Sequence, residues 1–551
     1  MNILLIAINA KYIHSSLAAY SLYEYLNEKE KQHVQIKEFT VNQSEELITS
    51  ELLRTKPDVL AFSCYIWNID LVISLMETFK KTMPHVSIIL GGPEASYEYE
   101  NLLAAGADII VRGEGEAPFK QLVQNFIKGE MDALQIIEPT CPIPLEDIPF
   151  AYPHGFAGLQ NRIIYYETSR GCVNNCGYCL SSATKGVRFL PWERVKSDLA
   201  QFLQAKVPQV KFVDRTFNSK NNHAMIIWQY LIANDNGVTN FHFEIAGDTL
   251  DADALALLAT ARKGLFQFEI GVQSTNTKTL ECIRRKTDTD KLLSNVVKLK
   301  KPGNIHLHLD LIVGLPFENY DSFKESFNRV FAVRPHKLQV GFLKLLKGSM
   351  LRENANEFGI EYKKNAPYGV LQTNDISFNE INHIKKIEHM VETFYGASSF
   401  ESSIRFMLEQ FQTPFEFFAQ LAAYWESKEN HLVSHKKMAM YSFLHDFAAV
   451  HLPNELRIIC ELLKYDMLLQ ENIRTFPAWI NDYYTPDNRL IDRTSGVHTF
   501  EYNIFEWMNN TTSLIKQNSQ VKFDYVSKIQ NQVKPLAKRT TSKFIRNKNG
   551  Q

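Results

Sequence analysis

Three cysteines lie close together in the middle of the chain, at Cys172, Cys176 and Cys179. They follow an apolar stretch that ends at Gly171, so a loop leaving a strand would carry all three thiols. Thiolates spaced in this way can hold one face of an iron–sulfur cube, for which cysteine is the usual ligand. The sequence offers no fourth cysteine with matching spacing. One iron would therefore stay open to a small molecule, which favours chemistry at the cluster over simple electron carriage.

Two other uses of these thiols fit the sequence less well. A zinc site would need paired Cys-x-x-Cys units or added histidines, and the loop contains no histidine. Disulfides are disfavoured because the chain has only seven cysteines in 551 residues and no recognisable secretory signal. Both properties indicate a reducing compartment. We therefore expect a cytoplasmic protein that carries an iron–sulfur cluster.

The order Cys-x-x-x-Cys-x-x-Cys, with Tyr178 directly before the last cysteine, resembles the signature of the radical S-adenosylmethionine (SAM) superfamily. The resemblance covers roughly residues 160–350. It implies a catalytic [4Fe–4S] cluster on Cys172, Cys176 and Cys179, with SAM bound at the open iron beside Tyr178. It also implies that an external one-electron reductant, of the flavodoxin or ferredoxin type, drives cleavage of SAM to a 5′-deoxyadenosyl radical that takes hydrogen from a substrate.

The first 130 residues alternate between short apolar runs and longer amphipathic segments. Runs of strand length occupy 3–8, 34–40, 58–64, 86–90 and 108–111. Strands that alternate with helical segments predict a doubly wound parallel sheet, which binds ligands at the carboxyl ends of its strands.

The loops at those strand ends are rich in glycine, which lets the backbone approach a bulky ligand. They include Gly91-Gly92-Pro93 and Gly113-Glu114-Gly115-Glu116, whereas no G-x-G-x-x-G dinucleotide motif follows the first strand. Set before a radical SAM signature, these loops resemble the cobalamin-binding domain of cobalamin-dependent radical SAM enzymes. The resemblance implies cobalamin contacts at His14, Ser63, Gly91, Gly92, Gly113, Glu114 and Gly115.

Two features leave the cobalamin prediction open to other interpretations. The D-x-H-x-x-G element that supplies an axial histidine in cobalamin mutases is missing. His14 could approach the corrin or simply pack within its loop. A domain that keeps the fold without the ligand is the alternative.

A second alternation of strands and helices follows the cysteines. Strand-length runs occupy 209–214, 240–246, 266–272, 305–313 and 337–342. They predict a partial (β/α)₆ barrel with its site at the strand ends. The resemblance implies SAM contacts from residues at those ends, namely Asp214, Glu244, Gln273, Ser274 and Asp310. Each acid could instead be a solvated cap or an ion-pair partner, and His306 and His308, which face one side of a strand, could be core histidines.

The remaining chain is less informative. Segments 376–393, 400–421 and 439–469 have apolar residues at helical spacing. They resemble the uncharacterised C-terminal domain of one subgroup of cobalamin-type radical SAM proteins, which implies a role in substrate selection. The tail 526–551 has seven Lys or Arg residues and no acid, but it lacks the interleaved aromatic residues of an RNA-stacking surface.

We therefore predict an α/β protein of several domains. The predicted parts are a Rossmann-like cobalamin-binding domain (1–130), a Pro-rich linker (131–160), a radical SAM partial barrel (161–355), a mostly α C-terminal domain (356–525) and a basic tail (526–551). No apolar run approaches the ~20 residues of a membrane span, and the formal net charge of −1 favours neither membrane nor nucleic acid.

The leading hypothesis is a cobalamin-dependent radical SAM enzyme that methylates an unactivated carbon of an unidentified substrate. A radical rearrangement, cyclisation or oxidation without methyl transfer is the first alternative, and a non-catalytic cluster or cofactor sensor is the second. A tRNA methylthiotransferase is disfavoured because that family adds a second cysteine triad, whereas only Cys64 and Cys141 precede the cluster loop here.

Overall fold

Parallel strands separated by helices form the first part of the chain in the computed structural model. The structure describes residues 1–130, 135–139, 141–182, 186–430, 437–471, 473, 475–481, 489–490, 495–509, 512–524 and 536–539. The chain divides into two compact units, Met1–Ile381 and Asn382–Gln551. No helix among these residues is both long and apolar enough to cross a bilayer.

The N-terminal sheet has the strand order β2-β1-β3-β4-β5-β6, and all neighbouring strands are parallel. Its strands are β1 (Ile3–Asn9), β2 (Val34–Thr40), β3 (Val59–Ser63), β4 (Ser87–Gly91), β5 (Ile109–Val111) and β6 (Ile136–Ile137). Its helices are α1 (Leu17–Glu24), α2 (Glu28–Lys31), α3 (Glu45–Arg54), α4 (Ile69–Thr82), α5 (Pro93–Ser96), α6 (Glu100–Ala104) and α7 (Glu116–Lys128).

Strand β1 is buried on both faces, which explains its continuous apolar sequence. Leu4 and Ile6 belong to a core that includes residues of α3 and α4. Leu5 on the opposite face belongs to a second core that includes Phe119 and Leu122 of α7. The five predicted strands therefore form, and their carboxyl ends lie along one edge of the sheet.

The second sheet has the strand order β14-β13-β12-β11-β10-β7, again parallel. Its strands are β7 (Ile164–Tyr166), β10 (Gln209–Phe212), β11 (Asn240–Ile245), β12 (Phe266–Gln273), β13 (His306–Val313) and β14 (Lys337–Phe342), while β8 (Ser169–Gly171) and β9 (Val187–Phe189) form a separate antiparallel pair. The helices are α8 (Trp192–Gln204), α9 (Asn221–Ala233), α10 (Ala252–Ala259), α11 (Thr277–Cys282), α12 (Thr289–Lys300) and α13 (Tyr320–Phe331).

The outer face of this second sheet carries the apolar core of the barrel. Phe212, Phe243 and Phe268 point to this side and are fully buried, and Trp228 of α9 packs against the last two rings. The alternate residues of the same strands point to the inner face, which is polar. The sheet thus confirms the predicted partial barrel and leaves its inside available for binding.

Segments before and after the strands of the barrel complete the first unit. Phe150 and Tyr152, from the predicted linker, pack on Phe202 of α8. Beyond β14 come α14 (Met350–Glu353), β15 (Glu361–Tyr362) and β16 (Val370–Gln372).

The second unit contains helices and an antiparallel sheet that the sequence patterns missed. Its helices are α15 (Phe378–Met390, which begins before the division), α16 (Glu401–Leu408), α17 (Pro414–Ser427), α18 (Lys437–His451), α19 (Leu456–Gln470), α20 (Ala478–Asn481) and α21 (Ile504–Met508). The strands, paired in sequence order, are β17 (Arg489–Leu490), β18 (Ser495–Tyr502), β19 (Lys516–Asp524) and β20 (Leu536–Arg539).

Two long helical predictions divide at prolines. The stretch 400–421 contains α16 and α17, because Pro414 starts a new helix that the Thr413 side chain caps. The stretch 439–469 contains α18 and α19, with a short turn at Pro453–Glu455 between them. The predicted basic tail lies outside the described residues except for β20, and the predicted linker is described except at 131–134 and 140.

Candidate cofactor-binding site

The three clustered cysteines lie on the loop between β8 and β9. Their thiols are free, with Cys176 buried and the other two half-buried. The backbone N–H of Asn174 donates to Cys172 Sγ over 3.4 Å. Gly177 sits between two neighbouring segments, since its N–H donates to the carbonyl of Ile283 and its own carbonyl accepts from Leu351. A Cβ at position 177 would lie 2.2 Å from Met350 Cε, so only glycine fits there without movement.

Arg285 approaches this loop from the segment between α11 and α12. Its Nη1 lies 3.8 Å from Cys176 Sγ and 3.5 Å from the hydroxyl of Tyr178, and its Nη2 donates to the carbonyl of Gly271. Burial raises the pKa of the Cys176 thiol, whereas the guanidinium opposes that shift by favouring the thiolate. Arg285 therefore supplies positive charge to the thiol that is the most buried of the three.

Asp214 supports the strand that leads into the loop. It is fully buried and accepts hydrogen bonds from the Thr168 backbone N–H (3.0 Å), the Thr168 hydroxyl (2.6 Å) and the Ser169 hydroxyl (2.5 Å). Burial raises the pKa of this carboxyl to about 6. All of these donors belong to the chain just before the cysteines, so Asp214 anchors the entry to the cluster loop.

Gln273 and Ser274 lie where β12 ends. Gln273 adopts a positive φ of 71°, and its buried side-chain oxygen has no hydrogen-bond partner in the described part of the chain. The Ser274 hydroxyl donates to Glu318 Oε1 over 2.6 Å, and burial raises the pKa of Glu318 to about 7. The bond between Ser274 and Glu318 thus holds the backbone at the end of β12 in a turn, next to the Gln273 side-chain oxygen that has no described partner.

Glu244 and Asp310 project from the inner face of the barrel. The closest described cation to Glu244 is Lys211, whose Nζ lies 3.6 Å from the carboxylate. Asp310 Oδ1 lies 3.0 Å from His308 Nε2. Burial raises the pKa of both carboxyls, so the inner face contains acids that are poorly neutralised.

The glycine loops of the N-terminal sheet lie at the ends of β4 and β5. Gly92 has a φ of 98°, and a Cβ there would be 2.7 Å from the Cys64 carbonyl oxygen, so the backbones of two adjacent strand ends touch. Gly113 also has a positive φ, but a Cβ there would meet no atom within 4 Å. Ser63 ends β3 and is buried. These loops leave open space directly over the sheet edge.

His14 lies on the loop after β1 and faces the barrel. Its Nδ1 is 2.6 Å from the Tyr165 hydroxyl of β7. Burial lowers the pKa of His14, and the charges of Lys11 and Lys211 lower it further. The neighbouring Ile163 N–H donates to the Ile13 carbonyl over 2.7 Å, so this loop is bonded directly to the barrel.

One cavity of about 900 Å³ connects the two sheets. Its lining includes the predicted residues His14, Ser63, Gly91, Gly92, Gly113, Glu114, Gly115 and Cys179, together with Glu167, Arg170 and Arg215. It continues along the N-terminal sheet between Ala61 and Phe119. Cys172, Cys176, Tyr178, Asp214, Glu244, Gln273, Ser274 and Asp310 lie outside this lining.

An ion-pair junction closes one side of the cavity. The Arg170 guanidinium, two residues before Cys172, donates to Glu114 Oε2 and to Glu116 Oε1, both over 2.9 Å, and also to Glu167. Arg188 donates to the other oxygen of Glu114. Burial would raise the pKa of Glu116, but the charge of Arg170 outweighs it and holds that pKa below its ordinary value. The Gly-Glu-Gly-Glu loop is therefore bonded directly to the strand that carries the cysteines.

Three family models match successive parts of the chain. They are the B12 binding domain over residues 3–123, the radical SAM superfamily over 166–330, and a protein of unknown function family, DUF4080, over 356–546. The chain contains a B12-binding domain followed by a radical SAM domain.

Comparisons with individual proteins agree with this assignment. The cobalamin-dependent radical SAM methyltransferase TokK of Streptomyces tokunonensis is 27% identical over 55% of this chain and 50% of its own. The hopanoid C-3 methylase of Methylococcus capsulatus is 27% identical over 44% and 50%. The chain thus spans about half the length of the curated relatives it matches. The solved structure of the radical SAM methyltransferase TsrM from Kitasatospora setae shares the fold, with a TM-score of 0.53, 14% identity, and coverage of 67% of this chain and 80% of that one.

The residues present fit the cofactors that the radical SAM and B12-binding domains imply. Three free thiols, of which Cys172 and Cys176 receive N–H donors, suit a [4Fe–4S] cluster, with SAM at its open iron. The open space over Gly113 and the cavity that extends along the sheet suit cobalamin.

Several residues at this site are not predicted by the sequence patterns. Tyr65 and Trp67 form a stacked pair, with ring centroids 4.4 Å apart, in the cavity lining. Arg215 is exposed to the same cavity, and Arg285 contacts the cluster loop. Ser63 is among the predicted cobalamin contacts, so the aromatic residues that closely follow it could have been found, whereas nothing in the spacing of Arg285 links it to Cys176.

Proposed function

We propose that this protein is a methyltransferase that uses SAM, a [4Fe–4S] cluster and cobalamin to methylate an unactivated carbon. One observation supports the proposal above all. A single cavity includes both the glycine loops of the B12-binding domain and Cys179 of the cluster loop. Ligands bound at those two places share one space, which a reaction that uses both would require. The methyltransferase relatives add support, although they match only half of their own length.

The proposed reaction assigns separate tasks to the described side chains. The cofactors supply radical formation and the methyl group when bound, and the protein binds, orients and shields them. Cys172, Cys176 and Cys179 hold the cluster, and Arg285 and Asn174 stabilise their thiolates. Asp214 keeps the loop in place through Thr168 and Ser169.

The binding residues form two proposed groups. The proposed SAM-side residues are Tyr178, Glu244, Gln273, Ser274 and Asp310, with Asp214 acting through the loop. The proposed cobalamin-side residues are His14, Ser63, Gly91, Gly92, Gly113, Glu114 and Gly115, to which we add Tyr65 and Trp67, whose flat apolar faces suit a planar ring system.

The bounds 1–130, 131–160, 161–355, 356–525 and 526–551 remain our proposal for the domains, with substrate selection assigned to 356–525.

The proposed reaction also requires an electron donor and a location. A flavodoxin or ferredoxin would supply the electron, and free thiols throughout the chain support a reducing compartment such as the cytoplasm. Binding of RNA by the basic tail stays a prediction.

The test quantifies the two products that SAM can yield. The protein is purified without oxygen, reconstituted with iron, sulfide and hydroxocobalamin, and given dithionite. Mass spectrometry then measures S-adenosylhomocysteine and 5′-deoxyadenosine in the wild type, in Cys179→Ala and in the matched control Cys141→Ala, whose thiol is exposed and does not belong to the loop of three cysteines.

We expect both products from the wild type and the control, with S-adenosylhomocysteine dependent on cobalamin. Cys179→Ala should lose 5′-deoxyadenosine. Deoxyadenosine alone would replace methyl transfer with another radical reaction. Neither product, from protein with a verified cluster and bound cobalamin, would contradict the proposed enzyme.

A further inference from the structure

The inner face of the barrel sheet carries layers of polar side chains. One layer consists of neighbours in register, Tyr165, Lys211, His242, Gln267 and His306. The next layer consists of Glu244, Glu269, His308 and Lys337. Closed barrels fill such layers with branched apolar residues. The polar side chains on the inner face of this sheet therefore require an explanation other than core packing.

Three of these residues bring metal-binding atoms together. One ligand atom each from Glu269, His308 and Asp310 lies within 4.8 Å of the other two. Glu269 and His308 are register partners on β12 and β13, and Asp310 follows two residues later on the same face. His308 is only 6% exposed. An imidazole nitrogen and two carboxylates form a donor set that suits zinc, manganese or iron(II).

The orientation of two buried atoms points to a shared ligand. His308 Nε2 and Asp310 Oδ1 lie 3.0 Å apart, and neither atom has a further hydrogen-bond partner among the described residues. Buried polar atoms are normally satisfied. Two buried atoms that face each other and have no other partner can both bind a third group placed between them.

We propose that Glu269, His308 and Asp310 bind a divalent metal ion inside the barrel, separate from the iron–sulfur cluster. The ion would lie on the polar inner face, and positions not taken by the protein would be open to oxygen atoms of a substrate. Its role would be to anchor an oxygen-bearing substrate within the barrel.

The charges around the site support this proposal. Glu244, Glu269 and Asp310 are three partly buried carboxylates, and Lys211 is the lysine in contact with two of them. Two further cations interact electrostatically with this face. Arg215 attracts Glu244 from the cavity side, and the charge of Lys337 is felt at His306. A divalent cation would compensate the acids that remain.

Lys211 and His242 determine which carboxylate oxygen of Glu269 is available to a metal ion. Lys211 Nζ and His242 Nε2 contact the same oxygen, Glu269 Oε2, at 3.1 and 3.0 Å. Oε1 is therefore the oxygen available to an ion. Lys211 and His242 would orient this carboxylate, as residues beyond the ligands commonly do in metal sites.

The test measures metal retention by the full-length reconstituted protein. Zinc chloride or manganese chloride is added, free ions are removed by desalting, and the metals are counted by mass spectrometry. Neither ion belongs to the iron–sulfur cluster, so both can be measured beside it. The variants are His308→Ala, Asp310→Asn and the conservative Glu269→Gln. Matched controls are His154→Ala and Asp253→Asn, which change exposed residues that are not on the strands of the barrel sheet.

We expect about one ion per chain in the wild type and in both controls, with affinity reduced by roughly 100-fold or more in the three variants. Unchanged thermal unfolding and cluster absorbance would exclude a general loss of structure, and Glu269→Gln retains the test if His308→Ala does not fold. No retained ion, or an ion retained equally by all variants, would overturn the proposal and leave a charge network without metal. Metal retention requires no methyl transfer, so this result is independent of the proposed function.

Discussion

Arg285 contacts a cysteine 109 positions away in the sequence, and its contact has an electrochemical consequence. Hydrogen bonds to cluster sulfur atoms help to set the reduction potential. Arg285→Met removes the guanidinium and should make the cluster potential more negative, because the reduced cluster loses a stabilising positive charge. Redox titration followed by electron paramagnetic resonance measures the shift.

The adjacent, exposed Arg284 provides the control for that measurement. Arg284→Met removes the same charge from the same segment without a described contact to the loop. An equal shift in both variants would attribute the effect to overall charge and contradict the specific role of Arg285.

A second prediction for a single residue concerns Asp214, whose loss should reduce cluster content and stability. Asp214→Ala leaves the Thr168 N–H and two hydroxyls without their acceptor, at a cost of about 1–3 kcal/mol for each buried group that stays unsatisfied. The cluster loop should loosen, so we expect less iron and sulfide per chain and a lower unfolding temperature. Asp214→Asn keeps an acceptor and should retain most of the cluster. Full cluster content in Asp214→Ala would refute the anchoring role.

The pKa of Asp214 predicts a pH dependence of stability. Folding raises this pKa from its ordinary 3.8 to about 6, so the folded protein holds the proton more tightly than the unfolded chain. The contribution of Asp214 to stability therefore falls as the pH rises from about 4 to about 6. Thermal unfolding of the cluster-free protein should show this decline relative to Asp214→Asn, which cannot ionise. Parallel curves would contradict it.

Among the elements, the strand β8 and the Gly113–Glu116 loop form the most consequential pair. Arg170 joins them through a fork of charge-assisted hydrogen bonds, a geometry that lysine cannot reproduce. Arg170→Met should preserve 5′-deoxyadenosine formation but reduce S-adenosylhomocysteine by about tenfold or more, because a misplacement of about 1 Å between reacting groups can cost far more than that.

Arg262→Met is the matched control for this junction. Arg262 forms a comparable fork on Asp235, away from the cavity lining. Arg170→Lys should give an intermediate loss. If both products fall in parallel in Arg170→Met, the junction supports the cluster loop alone and does not align the two cofactor sites.

At the scale of the first unit, the described ion pairs between the B12-binding domain and the chain from Arg162 onward have one polarity. The acids lie on the first domain and the bases on the barrel and its flanks, in the pairs Glu38–Arg162, Glu94–Lys347, Glu98–Arg352, Glu114–Arg170, Glu116–Arg170 and Glu114–Arg188. Such complementarity fixes orientation and disfavours wrong arrangements.

A charge swap tests this docking at the more exposed pair. Arg352→Glu should lower stability by about 1 kcal/mol or less and increase hydrogen exchange at Glu94–Glu98, since the pair is partly solvated. The double variant with Glu98→Arg should restore both. Failure of the second change to rescue the first would show that Arg352 acts through its packing on Tyr368 instead.

The sequence predicted the parts of this unit that depend on local pattern. Both parallel sheets and the loop of three cysteines follow from apolar runs and spacing. The ion pairs could not be predicted in this way, because Glu114 and Arg170 are 56 residues apart in the sequence. Periodicity indicates which residues are buried but not which residue each one contacts. Similarly, the position of Asp214 at a strand end predicted a contact with SAM, whereas in the structure its carboxylate accepts hydrogen bonds from Thr168 and Ser169. The strands β18 and β19 were missed because helical patterns dominate the segments before them.

The division between the outer and inner faces of the barrel sheet has a consequence for how such a protein can change over time. Phenylalanine side chains on the outer face carry the core, while the inner face carries charges that contribute little to it. Substitutions inside the barrel can therefore alter ligand preference and leave the scaffold folded. A lineage with this architecture is free to acquire new substrates by exchanging inner-face residues, and the same property makes the inner face the place to begin directed evolution.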